Sequence, residues 1–186
     1  MTRAMNLSTT RTMPRLTILA TTLALGGVTT FAQTPDTTFL EEMTWTEVRD
    51  AIQTGTTTVI IPTAGTEQKG PHMVLGEHRF VVNHAVDLIA RRLGNALVAP
   101  VITHVPEGNL DPPSGHMRYP GTITLPNEYF MKVVEYSARS LAVHGFTDIV
   151  LIGDSGGNQR GMQQVAALCD TAPTSWPVTL PDRLDW

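Results

Sequence analysis

TTTVIIPTAG (56–65) is a run of threonine and β-branched residues that ends in a glycine-containing turn, and its reading decides the fold. A short apolar run bounded by a turn fits a strand covered on both faces better than it fits a helix. Two more runs of this kind follow, LVAPVITHV (97–105) and Asp148-Ile149-Val150-Leu151-Ile152. Between the first and second, Phe80, Val81, Ala85, Leu88, Ile89 and Leu93 recur at helical spacing, and Gly94 stands where a helix end favours positive φ. Between the second and third, Pro126 marks a helix start and Gly145 its end, with Phe130, Val133, Val134, Ser137 and Leu141 on one face. Strand, helix, strand, helix, strand implies right-handed crossovers, hence an α/β fold with a parallel sheet and flanking helices in three layers.

Upstream, LEEMTWTEVRDAI reads as a short helix capped by Thr44 or Thr46, with Trp45 against the body. Residues 1–32 read as a secretory signal peptide: arginines 3, 11 and 15 without an acid, then LTILATTLALGGV (16–28), then small residues before Ala32. The apolar core is too short to span a bilayer, so the expected product is periplasmic or secreted, with no membrane attachment after cleavage. The α/β domain is then expected over 33–170, followed by an irregular tail over 171–186.

The chain has 186 residues, 41% hydrophobic and 16% charged, which fits one globular domain and excludes a disordered or fibrous chain. Its formal charge of −4, without a Lys/Arg run, lacks the electrostatic footprint of nucleic-acid binding. Cys169 is the only cysteine, so a metal would be held by His, Asp or Glu.

In a parallel α/β sheet, ligands bind beyond the carboxyl ends of the strands, which directs attention to 65–79, 105–122 and 153–159. The first segment holds Glu67, Lys69, His72 and His78; as a bland alternative, its polar residues would merely cap the next helix. The second is a long excursion containing Glu107, His116 and Arg118, and long loops in compact domains are usually lids or binding loops. The third, Gly153-Asp154-Ser155-Gly156-Gly157-Asn158, spells both the GDSGG of trypsin-like proteases and G-x-S-x-G. The first reading needs β-barrels, which the strand and helix pattern does not offer. The second needs a histidine after the serine, and the last one here is His144. What remains is a glycine-rich turn that brings Asp154 and backbone amides to the rim.

Taken together, Glu67-Gln68-x-Gly70-Pro71-His72, His116 with Tyr119-Pro120-Gly121-Thr122-Ile123, and Gly145-Phe146 leading to Gly156-Gly157-Asn158 resemble the creatininase (creatinine amidohydrolase) family over residues 39 to 160. The resemblance implies an α/β fold, shortened here at the C-terminal side, and metal-dependent hydrolysis of cyclic or linear amide C–N bonds in a homo-oligomer. The family pattern E-Q-H-G-P-H places a ligand histidine where this chain has Lys69. A family aspartate corresponds to His78, and the histidine of N-G-H-G-G-N to Ser155; Glu67 is unchanged. The expected centre is therefore one divalent ion, zinc, manganese or iron, on Glu67, His78 and Asp154. His72 or His116 would carry the proton to the leaving nitrogen, and the Gly156 and Gly157 amides would face the oxyanion. The substrate would be a small-molecule amide. The alternative is a non-catalytic creatininase-like domain that binds a small molecule or partner without turnover.

Overall fold

The structure is a computed structural model and describes residues 36–171 and 178–179. The leader over 1–32 and most of the 171–186 tail lie outside the described residues. In chain order the elements are α1 (Trp45–Gln53), β1 (Thr58–Thr63), α2 (Glu77–Leu93), β2 (Ala96–Val98), α3 (Asn127–Val143), β3 (Asp148–Gly153), α4 (Gly156–Thr171) and β4 (Val178–Thr179). The sheet is parallel throughout, in the order β2-β1-β3-β4. The tail thus supplies a short fourth strand that its proline-rich sequence does not suggest.

The alternation of side chains along each strand divides the core in two. Val59, Ile61, Leu97, Ile149 and Leu151 point to one face, where they meet Phe130, Val134 and Ala138 of α3 and Met162 and Val165 of α4. Ile60, Val98 and Ile152 point to the other, where they meet Val82, Val86 and Ala90 of α2. Each such side chain, fully buried, contributes about 1.5–3 kcal/mol. The result is the expected three layers.

The second strand is shorter than the run 97–105. Pro100 has no N–H to donate, so after Val98 the chain leaves the ladder; it touches β1 again through the single bridge of Thr63 to Ile102, and Val105 bridges instead to Thr124, outside the sheet. The same departure accommodates Pro62 inside the central strand. Its carbonyl accepts from Ile102 N at 2.9 Å on the side where β2 has already ended, so no regular ladder bond is lost there.

The buried face of α2 also differs from the periodic set. Val82, Val86 and Ala90 are inside, whereas Phe80, Val81, Leu88 and Leu93 are exposed. The inward stripe runs 78, 82, 86, 90 and begins with His78, a polar residue that a count of apolar positions omits. Gly94 ends the helix at φ 75°, as its position suggests. In α3 the inward residues are Phe130, Val134, Ala138 and Ala142, and Val133 faces out. Thr44 caps α1 in a capping box with Glu47. Trp45, however, is 75% exposed with the Arg49 guanidinium over its ring, because Val48, Ala51 and Ile52 form the inward side of that helix. Among the described residues no helix is long and apolar enough to cross a membrane.

Candidate metal centre

Three segments leave the carboxyl ends of the strands and meet over a cavity of about 410 Å³ lined by Glu67, Lys69, His78, Glu107, His116 and Asp154, with Pro106 and the turn 155–157. The first is pinned at both ends: Glu67 N donates to Leu75 O, and Ile123 N donates to Thr66 O. The second folds back on itself. Glu107 N donates to Thr124 Oγ1, and His116 N donates to Glu107 O at 3.0 Å. Gly108 makes that fold possible: its φ is +139°, and a Cβ there would lie 2.1 Å from Ser114 O. Backbone bonding thus places Glu107 beside His116, nine residues apart. The third segment is the turn from β3 into α4, anchored by Asn158, whose Nδ2 donates to Thr63 Oγ1 inside the core.

Glu67, Glu107 and His116 each offer a ligand atom, all within 4.8 Å of one another. The pair of carboxylates is buried, 5% exposed for Glu67 and 6% for Glu107. Glu67 Oε2 and Glu107 Oε1 are both fully enclosed without a hydrogen-bond partner among the described residues. Two buried carboxylates with free lone pairs side by side are costly unless a cation joins them. Gly65 is what admits them: a Cβ on it would lie 2.3 Å from Glu107 Oε1 and 3.3 Å from Glu67 Cδ. His116 completes the set. Its Nδ1 lies 3.2 Å from Gln68 O; a proton there leaves Nε2, 3.8 Å from Glu67 Oε2, as the free donor of electrons. Oxygen and imidazole nitrogen donors of this kind suit zinc or manganese, so the residues present fit a divalent ion.

Against the expected ligands, Glu67, His78 and Asp154 do converge. The His78 ring lies between the other two, its Nδ1 2.6 Å from Asp154 Oδ2 and its Nε2 2.9 Å from Glu67 Oε1. Glu77 Oε1 also approaches Nε2, at 3.2 Å. Burial of the ring is the largest influence and disfavours its charge. The Asp154 hydrogen bond and charge and the Glu77 charge oppose it and prevail despite Lys69, so the imidazole pKa is raised above its ordinary value. His116, expected as a proton carrier, is placed with the ligand atoms. His72 is exposed on the first loop and is not among the residues lining the cavity. Ser155, Gly156 and Gly157 line it, and Gly157 is held so close to Pro106 that a Cβ would lie 2.8 Å from its carbonyl oxygen.

Sequence reasoning gave Glu107 and Glu77 no role. For Glu107 the available signal was its place, one carboxylate directly after a proline at the exit of the 97–105 run. For Glu77 it was adjacency to His78 at a helix start.

A parallel α/β sheet that gathers buried carboxylates, the buried His78 ring and the partly exposed His116 at its carboxyl edge defines an α/β protein carrying the donors of a candidate metal site. Residues 41–179 match the family model for creatininase, described as creatinine amidohydrolase, and the chain belongs to the creatininase family. A creatinine amidohydrolase of Pseudomonas putida is 28% identical over 114 residues, which are 61% of this chain and 43% of that protein. Among solved structures, a creatinine amidohydrolase superposes with TM-score 0.65 at 24% identity, over 79% of this chain and 58% of its own. A manganese creatininase gives 0.64 at 24%, over 78% and 58%. A mutant creatininase described as of Zn-Zn type gives 0.65 at 24%, over 79% and 58%. The chain therefore spans roughly half the length of the relatives it matches.

Proposed function

We propose that the protein is a metal-dependent amidohydrolase that cleaves a cyclic or linear amide C–N bond in a small molecule. The observation that carries this is the pair of enclosed, unpartnered carboxylate oxygens on Glu67 and Glu107 beside His116, opening into a cavity large enough for a small amide. Glu67, Glu107 and His116 would hold the ion. A divalent ion supplies Lewis acidity there, polarising an amide carbonyl and acidifying water.

The chain's own groups do the rest. Gly156 and Gly157 stand in the first turn of α4, where backbone amides have no acceptor within the helix, and they face negative charge growing on a carbonyl oxygen. Asp154, His78 and Glu67 form a continuous line of hydrogen-bonding atoms through both nitrogens of the ring. That line fixes the Glu67 carboxylate in place and carries a proton between Nε2 and Glu67 Oε1 as charge changes in the cavity. Creatinine is the first substrate to test, because the matched relatives are described as creatinine amidohydrolase and creatininase. Export to the periplasm or medium is part of the same proposal and rests on the leader sequence; assembly into a homo-oligomer rests on the family resemblance.

The test is turnover. Purified protein loaded with zinc or manganese is expected to hydrolyse creatinine or another small cyclic amide, to lose that activity on chelation and regain it on metal return. Glu67→Gln is expected to abolish turnover. Full activity after exhaustive chelation, or in Glu67→Gln, would contradict the mechanism; a metal-binding protein inert toward a broad amide panel would favour a non-catalytic binding domain.

A further inference from the structure

Thr63, the last residue of β1, is completely buried and is not among the residues lining the cavity, yet its hydroxyl joins the strand to the helix that begins there. Its Oγ1 accepts from Asn158 Nδ2 at 3.2 Å and donates to Met162 Sδ at 3.4 Å. Both partners belong to α4 and lie one turn apart on the same face, so a single hydroxyl holds the start of that helix at two points. Gly153 makes room for it. That residue is paired with Thr63 across the sheet, and a Cβ there would lie 2.2 Å from Oγ1. Asn158 is completely buried, and its Oδ1 is enclosed without a hydrogen-bond partner among the described residues. A buried amide with one end unpaired costs stability, so filling space does not account for it; an apolar side chain would fill the space better. On the outer side of the same turn, Gln159 Nε2 donates to Gly153 O at 2.6 Å.

We propose that Thr63 is a positioning residue for the hydrolysis: through Asn158 its hydroxyl fixes the first turn of α4, and so holds the Gly156 and Gly157 amides where they face the cavity. The inference rests on the hydrolytic reading above and adds to it a residue that acts without touching substrate or metal. Donors aimed at a developing charge are effective to the extent that they are fixed before the charge appears. Two successive glycines cannot fix themselves, because neither has a side chain to pack. The rigidity therefore has to come from the next residue, Asn158, and from what holds it.

The experiment compares Thr63→Val, which keeps the shape and removes the hydroxyl, with Thr63→Ser, which keeps the hydroxyl. Both are made in the full chain and assayed at saturating Zn2+ with creatinine, or with whichever small cyclic amide the wild type hydrolyses. Thr63→Val is expected to lower kcat by about tenfold or more with KM unchanged, because the amides act on the transition state alone, and Thr63→Ser to stay close to the wild type. An unchanged kcat in Thr63→Val, a change confined to KM, or a Thr63→Ser as impaired as Thr63→Val would overturn the inference. A second readout needs no turnover: proton–nitrogen correlation spectra of glycine-labelled, metal-free protein. The Gly156 and Gly157 peaks are expected to move in Thr63→Val and to hold in Thr63→Ser, while those of Gly94 and Gly145, which precede β2 and β3 at the opposite edge of the sheet, hold in both. Unmoved Gly156 and Gly157 peaks would overturn the inference whatever the activity. A wild type inert toward amides, with the two peaks moving as expected, would overturn the hydrolytic reading and leave the placement of the turn standing. If Thr63→Val does not fold, Asn158→Leu removes the same bond together with the half-paired amide and carries the same expectations, and its failure to meet them would overturn the inference equally.

Discussion

Glu107→Gln is expected to leave the fold intact and to weaken divalent-metal binding by about 100-fold or more, the upper end of what loss of even an outer-shell partner costs. The substitution preserves shape and volume but removes one of two enclosed anionic oxygens that point at the same space. An amide offers a neutral oxygen in place of a carboxylate and adds an N–H2 group that cannot ligate. Stability should move in opposite directions with and without metal. Without it, the variant should be as stable as the wild type or more so, because a buried carboxylate has left a negatively charged cluster. With it, the wild type gains about 2.7 kcal/mol at a free metal concentration 100 times its Kd, and the variant gains far less. Thermal melts of both proteins, chelated and loaded, check this. Equal metal-induced shifts would show that Glu107 is no ligand.

Phe130→Ala is expected to cost about 3–5 kcal/mol, a large part of the roughly 5–15 kcal/mol that holds an ordinary domain together. Phe130 is completely buried where α3 meets α4. The fit there is tight: a Cβ on Gly161 of α4 would lie 2.9 Å from two ring carbons of Phe130. Removing the ring leaves a cavity between two helices whose alignment also sets the turn 155–157 at the metal centre, so the variant should lose metal affinity along with stability. Urea unfolding of the chelated protein measures the first effect without the second. A loss below about 1 kcal/mol would mean that the α3–α4 contact contributes little.

The layer order was legible from the three apolar runs and the helical stretches between them, because strands buried on both faces must be almost wholly apolar. What misled was phase. In α2 the inward stripe starts at His78, so counting apolar residues alone rotated the helix and assigned Phe80, Val81, Leu88 and Leu93 to a face that is exposed. Pro100 curtailed the second strand for a reason visible in the sequence, its missing N–H, which a run of β-branched residues overshadowed. At the centre, the meeting of Glu67, His78 and Asp154 is legible because all three fall in the segments that follow strand ends, Glu67 and Asp154 in the stretches directly after β1 and β3 and His78 in the first turn of α2. Glu107 was not, because its approach to His116 depends on a backbone bond across an aperiodic loop and on Gly65 leaving room for its carboxylate, neither of which has a signature in residue spacing.

The most direct measurement of the central claim is a crystal of the zinc-loaded protein with diffraction recorded on either side of the zinc absorption edge. The account predicts an anomalous peak in contact with Glu67, Glu107 and His116. No peak at that position, or a peak seated elsewhere in the chain, would contradict it.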